Sequence, residues 1–253
     1  MQRKRVAPFV FIMFLFISLA CGTMGTAALQ PSQQPPLTPQ ADATNRPAAA
    51  STQAASKYFQ EDFNGSLHGW SHFVIDGQSL QVMKSDPGDM TLGIQAGFLV
   101  FDLQGKGEWA YAIYNAQTYD DVRIDVSAEN RGTNNNNISL ICRYSPNGGW
   151  YEFNVTNSGL YYISYAQKTP EDKIIYSRIA DGGSNKIKQG RNTNQYSIIC
   201  RGHTLTLYIN NIMTRQIDDN QYVLKSGNIG VSVSSFTIVP VTVGYDWIKI
   251  SQP

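Results

Sequence analysis

The sequence predicts an all-β fold for residues 57–253, with two antiparallel sheets packed as a sandwich or jelly roll. Three observations predict it. Apolar and polar residues alternate at a period of two, turn-forming clusters separate the alternating segments, and no segment sustains the period of 3.6 that marks an amphipathic helix. Roughly ten strands in one domain bury their apolar faces when two sheets pack face to face.

The first element along the chain is an N-terminal export signal, residues 1–20. Three basic residues at positions 3–5 precede an apolar run at 6–20, which is the order of a secretory signal peptide. This run is shorter than the roughly 20 residues that cross a bilayer as a helix, so cleavage is favoured over an uncleaved anchor. The sequence therefore predicts an exported protein.

Cys21 follows the apolar run in the stretch Leu-Ala-Cys-Gly, which resembles the lipobox of bacterial lipoproteins. The resemblance implies that the Cys21 sulfur is lipidated and that Cys21 becomes the first residue. A plain secreted chain and an uncleaved signal anchor are the alternatives. With lipidation, we expect the protein to be anchored on the extracytoplasmic side of the membrane through its lipid alone.

The next element, residues 21–56, is rich in Ala, Gln, Pro, Thr and Ser and has no aromatic residue. Such a composition cannot build a core, so we expect a disordered tether between lipid and domain. A low-complexity segment without a function would have the same composition.

Charge excludes one class of partner. Loss of the three basic residues at 3–5 changes the formal charge from +1 to −2, and the rest of the chain has no cluster of Lys and Arg. Binding to phosphate backbones needs a basic surface. The sequence therefore predicts no nucleic-acid partner.

The strands of the β domain follow from the alternation. In TLTLYIN, for example, Leu205, Leu207 and Ile209 alternate with polar residues or tyrosine. Turn clusters such as SPNGG at 145–149 separate the segments and indicate successive hairpins. The segments predicted as strands are 97–103, 109–115, 121–127, 138–144, 150–156, 159–165, 196–200, 204–210, 228–234 and 242–250.

A family resemblance extends from residue 58 to residue 251. It is carried by EDFNGSLHGW at 61–70, ISLICRY followed by GGWYEFNV, YSIICRGHTLTLYINN, SGNIGVSVSSF and the closing VGYDWIKI. This order resembles the concanavalin A-like, or laminin G-like, jelly-roll domains of bacterial surface lipoproteins, in the 3-keto-disaccharide hydrolase-like and laminarinase-related group. The resemblance implies a jelly roll, a fold that serves lectins, glycosidases, adhesion modules and spacers.

The spacing of the acidic residues disfavours a catalytic site of the laminarinase type. Laminarinase-type members of the group use Glu-x-Asp-x-x-Glu on one strand, and this sequence lacks that motif. The nearest run holds Asp121, Asp125 and Glu129, whose neighbours lie ~13 Å apart on a strand. A retaining pair requires roughly 5–5.5 Å. We therefore interpret the run as a solvated outer face and assign no catalytic residue.

Two further cysteines, Cys142 and Cys200, occupy equivalent positions in two predicted strands and point the same way relative to the core. An exported protein favours a disulfide between them over a metal site or a catalytic thiol. Two buried free thiols are the alternative.

Asp246 raises the question of a metal. It shares an alternation face with Ile248 and Ile250, so it is expected to point inward, where an unpaired carboxylate is costly. In β-sandwich carbohydrate-binding modules an aspartate of the last strand often holds a structural Ca²⁺ with groups from the first residues of the domain. Glu61 and Asp62 would supply such oxygen ligands here. The alternative is an Asp246 that accepts hydrogen bonds from protein groups, without a metal.

A ligand site is predicted on the hairpin that joins ICRY to GGWYEFNV. Arg143, Trp150, Glu152 and Asn154 fall on the face that alternation makes wet. Aromatic rings pack on the C–H faces of sugars, and Arg, Asn and carboxylate groups bind their hydroxyls. The four residues would form an outward patch for a polysaccharide, or they are ordinary cross-strand pairs of an outer sheet.

Three functions remain after these observations. The sequence favours a non-catalytic module that recognises a polysaccharide or a cell-envelope glycan. A glycoside-cleaving enzyme of the 3-keto-disaccharide hydrolase type and a purely structural envelope domain are the alternatives.

Overall fold

The computed structural model describes residues Ser56–Pro253, and the signal, Cys21 and almost all of the tether lie outside these residues. Within Ser56–Pro253 there is no helix, and hence none that could cross a membrane. The strands in chain order are β1 (Phe59–Glu61), β2 (Trp70–Asp76), β3 (Gln81–Val82), β4 (Met90–Gln95), β5 (Phe98–Leu103), β6 (Glu108–Tyr119), β7 (Val122–Asn130), β8 (Asn136–Ser145), β9 (Gly149–Thr156), β10 (Leu160–Lys168), β11 (Ile174–Gly183), β12 (Thr193–Arg201), β13 (Thr204–Ile209), β14 (Ile212–Asp218), β15 (Gly227–Ser235) and β16 (Val241–Ser251).

Two eight-stranded sheets form the sandwich, and all their strand pairs are antiparallel. The first, called the back sheet, has the order β14-β13-β12-β7-β16-β5-β4, with β1 paired to β16. The second, called the groove sheet, has the order β11-β10-β9-β8-β15-β6-β2-β3. The predicted all-β, two-sheet jelly-roll class is confirmed.

The core between the sheets follows the alternation in the sequence. Leu205, Leu207 and Ile209 of β13 are fully buried on the inner face of the back sheet. Phe153 and Val155 of β9 are buried in the same core from the groove sheet. Each strand therefore gives one face to the core, as the period of two requires.

A disulfide joins the two sheets through this core. Cys142 of β8 and Cys200 of β12 are bonded, with their Cα atoms 6.7 Å apart. Both residues are fully buried. The predicted pairing is confirmed, and it links the centre of the groove sheet to the back sheet.

A bulge interrupts β8 just after the disulfide. Cys142 pairs with Tyr151, but the next paired residues are Ser145 and Gly149, so two residues of β8 oppose one of β9. Arg143 takes up the extra length with a φ of 55°. Its side chain thereby leaves the face that simple alternation assigns to it.

The two edges of the groove sheet meet each other. β3 and β11 are the terminal strands of the sheet order, yet Gln81 bridges to Lys173, the residue that precedes β11. The Val82 N–H donates to the Asp172 carbonyl (2.9 Å), and the Ile174 N–H donates to the Leu80 carbonyl (2.7 Å). We call this connection, residues 80–82 with 172–174, the roof, because it crosses the outer face of the groove sheet.

Candidate functional site

Three of the four residues predicted to bind ligand share one face of β9. Trp150, Glu152 and Asn154 alternate with the core residues Tyr151 and Phe153 and point to the outer face of the groove sheet. They are not open to solvent: the exposed fraction is 2% for Trp150, 2% for Glu152 and 9% for Asn154. These three residues share the outer face, as alternation predicts, but the expectation that they form an open, solvent-exposed patch is wrong.

Trp150 belongs to a second apolar cluster, which we call the plug. The Trp150 ring lies 5.4 Å from the Tyr144 ring and 6.1 Å from the Tyr111 ring, measured between centroids. The plug consists of Ile75, Tyr111, Ile113, Ile141, Trp150, Ala166 and Ile174. Because Ile174 is also a roof residue, the roof covers the plug. Trp150 is therefore a packing residue, and its predicted role as an open sugar platform is wrong.

Arg143, the fourth predicted residue, lies away from the other three. Its guanidinium donates to the carbonyls of Asp120 (3.0 Å), Gly202 (2.7 Å) and Leu224. It is 2% exposed, and burial lowers its pKa from the ordinary value. The bulge in β8 causes this displacement, so Arg143 holds three chain segments together instead of facing a ligand.

Beside the plug lies an open groove of about 400 Å³. Its apolar and aromatic lining comes from Leu80, Trp109, Tyr162, Tyr176 and Phe236. Its polar lining comes from Asn137, Glu152, Asn154, Ser164, Arg178 and Ser234. Glu152 and Asn154 are thus brought together in one cavity, with partners that the sequence analysis did not name.

Glu152 lies where the plug and the groove meet. Its carboxylate accepts hydrogen bonds from Trp150 Nε1 (2.9 Å) and from the Tyr111 hydroxyl (3.1 Å), and the Tyr111 and Tyr176 hydroxyls are 2.8 Å apart. Burial raises the pKa of Glu152, and the hydrogen bonds from Trp150 and Tyr111 oppose this only in part. Glu152 therefore stays protonated to a higher pH than an exposed glutamate and can then donate a hydrogen bond to a ligand.

Asn154 is held in place by its neighbours on β8. Its Oδ1 accepts from Ser139 Oγ (2.9 Å) and from Asn137 Nδ2 (3.2 Å). The Oδ1 atom of Asn137 is buried and has no protein partner. A groove that contains a fixed amide is suited to hydroxyl groups, which both donate and accept.

Aromatic side chains from the flanking strands complete the groove. Arg178 lies over the Tyr162 ring, with 4.4 Å from Cζ to the centroid, and the rings of Trp109 and Tyr176 are 5.6 Å apart, edge to face. Tyr162 is half-buried and Arg178 is exposed. Alternation within β6, β10 and β11 puts these side chains on the outer face, but only the pairing of the strands brings them to Glu152.

The groove does not contain a pair of acids. Glu152 is the one carboxylate among the described residues that line it. Asp121, Asp125 and Glu129 lie at or beside β7 in the back sheet, where Arg123 pairs with Asp125 (2.6 Å) and Arg131 with Glu129 (2.7 Å). These ion pairs are partly exposed, as a solvated outer face requires. Two-carboxylate glycoside cleavage therefore has no partner for Glu152 in the groove.

The expected inward position of Asp246 is wrong. The pairing of β16 with β7 passes from Tyr245 opposite Ala128 to Trp247 opposite Ser127, so Asp246 is an extra residue of a bulge, and it is exposed. Glu61 accepts from the Phe63 N–H (2.9 Å), and Asp62 is exposed. From Ser56 to Pro253, no three His, Cys, Asp or Glu side chains lie close enough together to hold a metal ion. The oxygen set predicted for Ca²⁺ is therefore not assembled.

Comparison with known proteins identifies the fold. No family model and no curated protein matches the sequence. The structure is similar to a GH16 protein of a Bacteroides ovatus mixed-linkage glucan PUL in complex with a product, with a TM-score of 0.56 and 15% identity over 76% of this chain and 99% of that one. It is similar to the laminarinase catalytic domain of Thermotoga maritima (TM-score 0.54, 10% identity, 77% and 97% covered). It is also similar to Bacillus licheniformis β-glucanase (TM-score 0.51, 13% identity, 79% and 100% covered). The chain therefore has the concanavalin A-like jelly-roll fold of laminarinases and β-glucanases, as the resemblance in its sequence implied.

Proposed function

We propose that residues 57–253 form a non-catalytic carbohydrate-binding module and that the groove holds its glycan. The composition of the groove carries this proposal. The rings of Trp109, Tyr162 and Tyr176 line the same cavity of about 400 Å³ as amide, hydroxyl and carboxyl groups. Rings of this kind pack on the C–H faces of sugars, and the polar groups match sugar hydroxyls. The fold shared with glucan-degrading enzymes supports a glycan as the class of ligand.

The arrangement of the groups supports binding more than cleavage. Glu152 is the single carboxylate of the groove among the described residues, and its pKa is raised by burial. The Glu152 carboxyl group and the Asn154 amide, held by Ser139, serve as hydrogen-bond partners without any need for a second acid. A glycoside-cleaving enzyme of the 3-keto-disaccharide hydrolase type and a purely structural envelope domain are the alternatives that the experiment distinguishes.

The experiment is a glycan-array screen of the purified full chain, followed by calorimetric titration with the best ligands and with laminarin and mixed-linkage β-glucan. Tyr162→Ala removes a partly exposed ring from the groove without opening the core, so we expect an affinity at least tenfold lower and a Tm within about 2 °C of wild type. Trp247→Ala is the matched control, because Trp247 is a partly exposed aromatic residue in another cavity, on the back sheet. It is expected to leave the affinity unchanged.

Three results would contradict the proposal. Binding that Tyr162→Ala leaves intact would move the ligand to another surface. Sugar released from a bound glycan by the wild-type chain would favour the glycoside-cleaving enzyme. If the protein binds no glycan, the purely structural envelope domain becomes the favoured function.

We also propose that the module is displayed on the extracytoplasmic side of the membrane. Residues 1–20 would be removed and Cys21 lipidated, and residues after Cys21 would form the tether. Intact mass measurement of the membrane fraction checks this, and Cys21→Ser should release the protein or block its processing. A wild-type chain that starts at another residue would contradict it.

A further inference from the structure

The roof closes the groove sheet across its strands. β3 and β11 are the terminal strands of the sheet order, and at the roof they are joined by backbone hydrogen bonds from Val82 N–H to the Asp172 carbonyl and from Ile174 N–H to the Leu80 carbonyl. The eight strands form a closed ring at this level. A polymer lying across the strands there would have to pass through the backbone.

The plug blocks the other direction, along the strands. Trp150 and Tyr111 are 2% and 0% exposed, and both donate hydrogen bonds to Glu152. Trp150 and Ile174 face a separate cavity of about 130 Å³, whereas Glu152 and Tyr176 face the groove. The plug therefore divides the space under the roof, and the groove ends at Glu152.

We propose that this blind groove takes the terminal sugar of a glycan chain and not an internal stretch, an inference that rests on the proposed carbohydrate-binding function. The terminal residue has free hydroxyls where an internal residue continues into the next sugar. In the groove those hydroxyls meet the Glu152 carboxyl, and the following sugar points outward, toward Tyr162 and exposed Arg178. An open cleft would have no such end.

Comparison of short and long ligands tests the inference. The purified full chain is titrated calorimetrically with four linear polysaccharides, namely mixed-linkage β-glucan, β-1,3-glucan, β-1,4-mannan and β-1,4-xylan, and with the tetrasaccharide of each. Each polysaccharide and its tetrasaccharide form a pair of ligands. For a pair that binds, we expect saturation at one protein molecule per polysaccharide molecule. The Kd values of tetrasaccharide and polysaccharide should agree within threefold when the polysaccharide is counted as chains. Tyr162→Ala should weaken both by the same factor, and Trp247→Ala should weaken neither.

The remaining outcomes separate this inference from the proposed function. Binding of several protein molecules to one polysaccharide molecule, with a Kd at least tenfold lower than that of the tetrasaccharide, would show that internal sugars bind. This result would overturn the inference but leave the carbohydrate-binding function in place. Polysaccharide binding that survives Tyr162→Ala would lie outside the groove and would also overturn it. If no pair binds, the comparison is repeated with the best ligands of the glycan array and their longer homologues. If none of these glycans binds either, both the inference and the function proposed for the groove are overturned.

Discussion

Glu108, at the start of β6, is a carboxyl group in an unfavourable environment. It is 7% exposed, its N–H donates to Ser235 Oγ (3.0 Å), and its carboxylate accepts from the Gly105 N–H (3.2 Å). Burial, together with the neighbouring Asp89 carboxyl, raises the pKa of Glu108 to about 7. An ionised Glu108 therefore destabilises the fold.

The sign of the pH dependence follows from this raised pKa. The unfolded chain loses the Glu108 proton near the ordinary pKa of 4.5, while the folded chain keeps it up to about 7. Stability from the protonated group is complete below 4.5 and is lost as the pH rises through 7. Glu108→Gln keeps a neutral side chain of similar shape, so we expect its Tm relative to wild type to be higher at pH 8 than at pH 5, measured by differential scanning calorimetry.

Glu171→Gln is the control for this measurement, because Glu171 is exposed. Its Tm difference from wild type should not change between pH 5 and pH 8. If the Tm difference between Glu108→Gln and wild type is also the same at pH 5 and pH 8, burial does not raise the pKa of Glu108 as we infer.

At the scale of the strand, alternation predicts the facing of side chains only up to a bulge. All ten segments predicted as strands are strands, and the inward residues of β9 and β13 were assigned correctly. Arg143 and Asp246 were assigned to the wrong face because each is an extra residue in its strand. Beyond a bulge, the side chains of the strand face the opposite way from what simple alternation predicts. The residue pattern of one strand does not show the register in which its neighbour pairs with it, so the bulge could not be predicted.

The bulge in β8 leaves no room for a side chain at Gly227, the first residue of the adjacent strand β15. A Cβ atom on Gly227 would lie 2.4 Å from the carbonyl carbon of Arg143 and 2.5 Å from the carbonyl oxygen of Tyr144, so backbone would have to move. Gly227→Ala should therefore destabilise the protein by about 2 kcal/mol, measured by chemical denaturation. Gly93→Ala in β4 is the matched control, since nothing lies within 4 Å of its added Cβ, and its effect should stay within about 0.5 kcal/mol. Equal effects of the two substitutions would show that the bulge does not need the glycine.

At the scale of the whole molecule, the fold was predictable from the sequence and the site was predictable only in part. Glu152 and Asn154 lie on one strand, so alternation found both. Trp109, Tyr162 and Tyr176 come from three other strands, and their approach depends on the order of the sheet. The burial of Trp150 depends on the roof, which joins residues about 90 positions apart by backbone hydrogen bonds that carry no side-chain signature.

The disulfide is the covalent link between the two sheets, and its contribution is expected to be global. Cys142 and Cys200 are separated by 58 residues. On the chain-entropy estimate a loop of that size stabilises the fold by roughly 4 kcal/mol. For a domain of this size, loss of the disulfide should lower the Tm by on the order of 10 °C.

Scanning calorimetry with and without reductant measures this loss. The double variant Cys142→Ala/Cys200→Ala should melt at the temperature of the reduced wild type and should not respond to reductant. A wild-type Tm that is the same in both buffers, with reduction verified by thiol titration, would contradict a stabilising disulfide.

The roof has a consequence for how the folded chain behaves among its neighbours. An edge strand presents unpaired N–H and carbonyl groups to which a second chain can add, and this is a common start of β-aggregation. Where β3 meets the segment that leads into β11, the two edges of the groove sheet satisfy each other. The back sheet keeps two edge strands, β4 and β14. In β14, Ile212 and Met213 are 50% and 57% exposed. Self-association at high concentration is therefore expected to start from an unpaired edge such as β14 and not from the roof.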